Sequence, residues 1–310
     1  MSNLIGQFSQ LRYTLKRNSL RAFWMLSLAL CAALSGCKTP TAPPAPATTK
    51  ASAPALAAPT AAANAAPAPA ADKPAALQVA GELIVSLDAR DPSAGSATWI
   101  NQGSMGNFTQ VGAPKLSTAS GQPAVQFNGT SDAYRSENST PAAITGDHAR
   151  SIEVWVFNPA LDSTEECLVA WGHRGATLNN MSFNYGSGGG FSAATHYDED
   201  MGWGDESPAP DRWHYLVYTY DGNTTKIYDN GLERGSQEFK LATAAENKMN
   251  IAVENSAEGA PLFQSEWDPS WPLALSGSIA NVRVQSGALT ADQVKANFAA
   301  EKARFGAATP

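Results

Sequence analysis

Between Asp211 and Arg234 the chain reads DRWHYLVYTYDGNTTKIYDNGLER. Trp213 to Tyr220 is crowded with aromatic and β-branched residues, the types that suit a pleated surface, so this run predicts a strand. Asp221-Gly222-Asn223 turns the chain, and a second strand follows over 224–229. It sets Thr225, Ile227 and Asp229 on one face and Thr224, Lys226 and Tyr228 on the other. Asp229-Asn230-Gly231 is a second tight-turn signal, so two antiparallel hairpins follow one another as a meander. A bare meander specifies no activity.

Short strands recur on either side of it. Leu83, Val85 and Leu87 alternate with Glu82, Ile84, Ser86 and Asp88, and a brief strand is expected over 98–101. Strands over 124–127 and 132–137 flank the Asn128-Gly129 turn. In the next, Ile152, Val154 and Val156 oppose Glu153, Trp155 and Phe157, so both faces carry bulk and the strand should be central. Further strands are expected over 166–171, 180–185, 191–197, 248–253 and 278–284, with Met181, Phe183 and Tyr185 sharing a face. One helix is clear. Thr290-Ala291-Asp292-Gln293 has the capping-box pattern, and Val294 and Phe298 give one apolar stripe. Short strands, glycine-rich turns and one late helix predict an all-β, two-sheet antiparallel jelly-roll sandwich and exclude a parallel α/β plan.

The pattern Trp213-His214-Tyr215, then Tyr218-Thr219-Tyr220-Asp221-Gly222, then Lys226-Ile227-Tyr228-Asp229-Asn230-Gly231 resembles the central signature of laminin-G-like and pentraxin-like domains. These are a branch of the concanavalin A-like lectin/glucanase superfamily. Val125-Gln126-Phe127-Asn128-Gly129, the run from Ser151 to Val156 and the run from Leu275 to Val284 fall in the family's order. The resemblance implies one such β-sandwich over residues 79–305. It leaves the activity open, because the fold hosts lectins, hydrolases, lyases and adhesive modules.

The first residues resemble an address. Arg12, Lys16, Arg17 and Arg21 precede an apolar run from Ala22 to Leu34 that is short for a bilayer span. Leu34-Ser35-Gly36-Cys37 then resembles the lipobox of bacterial lipoproteins, which implies a signal peptide over 1–36 and a lipidated, palmitate-bearing Cys37. An ordinary secretory signal with a chance cysteine is the alternative. Lys38 stands where an inner-membrane retention aspartate would sit, so the resemblance favours the outer membrane. Residues 37–78 are nearly all Ala, Pro and Thr and read as a disordered tether, about 120 Å long if fully extended. About 230 residues remain after Gln78, enough for one large domain.

Only Cys167 lies beyond the leader and anchor, in an apolar strand pattern, and packing is its expected role. Removing the four basic residues of 1–37 takes the net charge from −7 to −11. So acidic a domain is a poor ligand for nucleic acid, while metal ions, neutral glycans and cationic partners remain open.

Three loops concentrate polar and aromatic residues. Trp171, His173 and Arg174 lie in the first, His196, Asp198 and Trp203 in the second, and Trp267 in the third. A flat ring beside Asp, His or Arg suits a sugar, covering its apolar face while polar groups fix its hydroxyls. Tryptophans that plug the ends of the sandwich fit the same sequence. Asp198, Asp200 and Asp205 could supply oxygens to Ca2+, and the resemblance implies that such an ion is common; a merely solvated acidic loop is the alternative. Related hydrolases carry acids at alternate positions of one strand, but here Glu153 is followed by Trp155 and Phe157, so the second carboxylate is missing. No nucleophile elbow, CxxC, HExxH or phosphate loop is present. The expectation is a lipid-anchored envelope module that binds a glycan or a surface protein without catalysis. The alternatives are a polysaccharide hydrolase or lyase with an atypical site and a structural adhesion protein.

Overall fold

The computed structural model of the chain describes residues 76–161, 163–187, 189–204, 207–255, 261–263 and 273–307. Its first strands are β1 (Leu83–Asp88), β2 (Thr98–Trp99), β3 (Phe108–Val111), β4 (Lys115–Ala119), β5 (Gln122–Asn128) and β6 (Ala133–Ser139). Then come β7 (Arg150–Asn158), β8 (Cys167–Gly172), β9 (Asn180–Asn184), β10 (Ala194–Thr195) and β11 (Asp200–Met201). The last are β12 (Arg212–Tyr220), β13 (Thr224–Asp229), β14 (Leu232–Glu238), β15 (Lys248–Ile251) and β16 (Ser276–Gln285), before helix α1 (Ala291–Phe305). They form two antiparallel sheets. The first runs β14-β13-β12-β7-β16-β5-β4, with β1 also on β16; the second runs β11-β10-β9-β8-β15-β6-β3-β2.

The meander is β12-β13-β14. At its first turn Asp221 Oδ1 accepts from the amides of Asn223 (2.9 Å) and Thr224 (2.7 Å), a side chain standing in for a backbone turn. At the second, Asn230 and Gly231 both have positive φ, 51° and 84°, which matches the twist of the flanking strands. β12 also pairs with β7 from Arg212↔Asn158 to Tyr220↔Arg150, which makes β7 central as its two-sided bulk requires.

Alternation on these strands divides the apolar residues between two clusters. Ile152, Val154, Val156, Leu216, Tyr218 and Tyr220 face the second sheet and share the main core with Trp171, Met181, Phe183 and Tyr185. Trp155, Tyr215, Val217 and Tyr228 face the other way, and α1 covers them with Val294, Phe298 and Phe305. The helix begins with the expected capping box. Thr290 Oγ1 accepts from Gln293 N (3.2 Å) and Gln293 Oε1 accepts from Thr290 N (2.9 Å). It ends at Gly306 in the left-handed conformation.

Some expected strands are shorter than their composition suggests. The strand expected over 191–197 pairs only at Ala194–Thr195, because Tyr197 and Asp198 take left-handed φ of 64° and 78° and turn the chain towards β11. That expected over 98–101 stops at Trp99, where Asn101 leaves the ladder and its side chain bonds the backbone of Ile84 and Ser86 instead.

Candidate functional site

The second sheet presents an unusual outer face. Asn250, Ala170, Ser182, Thr195 and Asp200 are successive cross-strand partners over β15, β8, β9, β10 and β11. In the other direction the row continues through Arg135, Thr109 and Thr98. The residues beside them in sequence, such as Trp171, Met181, Ile251 and Tyr134, all lie in the main core, so the row faces away from it. Seven of its eight members are polar or charged. Its Thr109 end is exposed, while Asn250 and Ser182 are fully buried.

At Asn250 the burial comes from chain folding back over the row. After β15, Asn255 accepts from Asn250 Nδ2 (2.5 Å) and donates to the Gly172 carbonyl (2.8 Å). Glu254 Oε1 accepts from Arg174 Nε (2.8 Å) and from Asn180 Nδ2 (2.6 Å). A second guanidinium nitrogen of Arg174 donates to Glu165. Arg174 thus joins two acids that stand 89 positions apart in the chain. The loops on either side of this corner are tied together as well, by Leu178 N to Tyr197 O (3.1 Å) and Thr177 Oγ1 to Asp198 Oδ2 (2.7 Å).

Glu165 and Glu254 hold the guanidinium, and Asp200 adds a more distant negative charge. Burial pushes Glu165 up to about 8 despite Arg174, with Glu254 and Asp200 adding to the rise. Burial also raises Asp200 to about 6, against the stabilising His196 amide and Arg174. For Arg174 burial pulls downward, but Glu254 and Glu165 outweigh it and hold the guanidinium above its ordinary value. Among the described residues, Asn180 Oδ1, Asn250 Oδ1 and Arg135 Nε are buried side-chain atoms on this face with no hydrogen-bond partner. Orphans of this kind are costly.

Of the expected residues, the ligand candidate Arg174 and the metal candidate Asp200 are at this corner. His173 is half-buried beside it, with Nδ1 on the Arg174 carbonyl (2.8 Å), and Asp198 is exposed on the adjoining turn. The tryptophans are elsewhere. Trp171 pairs with Met181 on the core side of β8, fully buried, with the Arg150 guanidinium 5.8 Å from its ring centre. Trp203 is 2 % exposed, packs near Phe183 and donates Nε1 to the Ser192 carbonyl (3.0 Å). Neither ring has a face open to a sugar, so their platform role is corrected to core packing. His196 is also buried; burial, then Arg150, pushes it down to about 3, so it is neutral. Trp267, Asp205 and the lipidation residue Cys37 lie outside the described residues.

Asp198 and Asp200 do not form the expected calcium cage with described residues. Asp200 Oδ1 accepts from the His196 amide (3.1 Å), and no three His, Cys, Asp or Glu side chains gather as a metal site among the described residues. Glu153 is occupied under α1, accepting from Tyr215, Gln285, Arg283 and Asn297. Cys167 is buried, with burial pushing its thiol well up. His214 has Nδ1 2.7 Å from Asp229 and Nε2 2.9 Å from the Ala209 carbonyl, where it braces the wall of a cleft of about 550 Å³. Sequence reasoning missed Glu165, Glu254 and Asn180. The one signal was Glu165-Glu166 abutting a wholly apolar strand.

No curated protein matches the chain. Domain 4 of the extracellular arabinanase AbnA from Geobacillus stearothermophilus, solved with arabinotriose, superposes with TM-score 0.52 at 18% identity, covering 70% of this chain and 98% of that one. A mutant Trypanosoma rangeli sialidase gives 0.47 at 15% identity over 73% of this chain and 34% of its own. The binding domain of botulinum neurotoxin serotype D gives 0.46 at 12% identity over 70% and 51%. Two antiparallel eight-stranded sheets, the meander and the late helix agree with a family match over residues 128–295, more than half of the sequence, so this chain belongs to the laminin G family of the concanavalin A-like lectin/glucanase superfamily.

Proposed function

We propose that this chain is a non-catalytic carbohydrate-binding module of the bacterial envelope, anchored to the outer membrane through Cys37 and displayed on the 37–78 tether. The observation that carries the reading is the polar row on the outer face of the second sheet, where Asn250 Oδ1 and Arg135 Nε have no hydrogen-bond partner among the described residues. Sugar hydroxyls donate and accept, so a saccharide can meet both kinds of orphan at once. The arabinanase domain, which shares this fold along nearly its whole length and was solved with an arabinose oligomer, supports a saccharide as the ligand. Screening the full chain on a glycan array tests the reading. Saturable binding that falls at least tenfold in Arg135→Ala is expected; no binding, or binding indifferent to that change, overturns it.

A hydrolytic reading draws on Glu165 and Glu254, the two acids that flank Arg174. Both are bonded to the guanidinium and almost wholly buried, which suits a structural pair better than an acid and a nucleophile. Release of reducing ends or unsaturated products from a polysaccharide panel, abolished by Glu165→Gln, would favour the hydrolase or lyase.

A further inference from the structure

The charges at the Arg174 corner do not close. Glu165 and Glu254 pair with one guanidinium, and Asp200 acts on it electrostatically without bonding to it. The corner thus holds more carboxyls than cations. An uncompensated buried charge is expensive, so a further positive group is favoured there.

Hydrogen bonding narrows the kind of cation. Asn180 Nδ2 is bracketed by Glu254 Oε1 (2.6 Å), the Thr195 carbonyl (3.2 Å) and Thr195 Oγ1 (3.3 Å), all acceptors. That fixes the amide orientation and leaves Asn180 Oδ1 as an acceptor without a donor among the described residues. Glu254, which Asn180 touches, also shares a hydrogen bond with the protonated Glu165 carboxyl. Both side chains are at least nine-tenths buried, Asn180 at 0% and Glu254 at 1% exposure. An unfilled acceptor beside excess negative charge calls for a cation that carries hydrogen-bond donors. A primary ammonium group, with its N–H donors, meets that description better than a bare metal ion, for which no three chelating side chains gather here among the described residues.

We propose that the corner formed by Arg174, Glu254, Asn180 and Asp200 binds a primary ammonium group, supplied by the amine of an amino sugar or by free ammonium ion. The amino-sugar form rests on the carbohydrate reading above and narrows it. It gives the module a preference for amine-bearing over neutral saccharides.

The test is calorimetric titration of the full chain with glucosamine, glucose, ammonium chloride and potassium chloride, with tetramethylammonium chloride as the cation lacking N–H donors. Glucosamine binding at least tenfold tighter than glucose, and weakened at least tenfold in Glu254→Gln, is the expected result and assigns the amine to a sugar. A saturable response to ammonium chloride without one to glucosamine assigns it to the free ion. Equal responses to ammonium and potassium, a response to tetramethylammonium, or wild-type titration by Glu254→Gln overturns the proposal. Should Glu254→Gln fail to fold, Asp200→Asn is read instead, with a loss of at least threefold expected and wild-type affinity overturning the proposal. Neutral glycans that bind with no ammonium effect sink this inference and leave the carbohydrate reading; ammonium binding without any saccharide binding does the reverse.

Discussion

Trp155 lies flat on Phe305, with ring centroids 3.9 Å apart and planes 14° from parallel. Phe305 also packs on Trp213, at 5.0 Å, so one residue at the end of α1 closes the outer aromatic layer of the first sheet. Truncating a buried Phe removes its transfer energy and leaves a cavity. Phe305→Ala should therefore cost about 3–5 kcal/mol, which for a domain of this size lowers the melting midpoint by roughly 10 °C. Ligand binding at the opposite sheet should be unchanged below the new midpoint. A midpoint within about 2 °C of wild type would mean that the helix adds little to the fold.

Beneath the same helix, Arg283 bridges Glu153 and Glu301, while Asn297 donates to Glu153 and to the Gln78 carbonyl. Glu153→Gln leaves a buried guanidinium short of one charge partner. Breaking a buried pair from one side costs about 3–5 kcal/mol, so chemical denaturation should show a clear loss of stability. Any polysaccharide-cleaving activity would survive in the folded fraction. Loss of activity at unchanged stability would instead make Glu153 catalytic.

Stability should fall as pH rises from acid to mildly alkaline conditions. Glu165 and Asp200 hold their protons to higher pH when folded, to about 8 and about 6, than at their ordinary values of 4.5 and 3.8. In that interval folding takes up protons, so the contribution of these two acids is most favourable at the acid end and is lost through the folded values. Melting midpoints at pH 5, 6, 7 and 8.5 measure the slope. Glu165→Gln, which cannot ionise, should flatten the part between pH 6 and 8.5; an unchanged slope would place the proton uptake elsewhere.

What the sequence made legible follows from local physics. Turn chemistry at Asp221 and Asn230-Gly231, two-residue alternation and the Thr290 capping box each act over a few residues, and each appears in the structure. The Arg174 corner was only half legible. Arg174 and Asp200 stood out as charges in aromatic loops, but Glu254 reaches Arg174 only because the chain folds back after β15, a long-range event with no local pattern. Trp203 misled for a related reason. At Gly202 a side-chain carbon would lie 1.5 Å from the Gly189 carbonyl, so the chain is pressed inward there and carries the next residue into the core. Composition marks a Trp between glycines and acids as a loop residue and says nothing of that close approach.

That misreading yields a test separating packing from binding among the residues first chosen for their chemistry. Trp203 fills a pocket beside Phe183 and Ser192, so Trp203→Ala should cost about 3–5 kcal/mol, and any lost ligand binding should track the unfolded fraction. Asp198 is exposed, and its hydrogen bond to Thr177 Oγ1 lies at the surface. Asp198→Ala should leave the melting midpoint within about 2 °C, as surface changes usually do. If the corner is the ligand site, it should still weaken binding several-fold by loosening the tie between the 173–179 and 196–200 loops. Calorimetric titration and thermal melting of both variants give the answer together. A stable Trp203→Ala that has lost binding would return the indole to the site, whereas an Asp198→Ala that binds like wild type would move the ligand along the row towards Arg135 and Thr109.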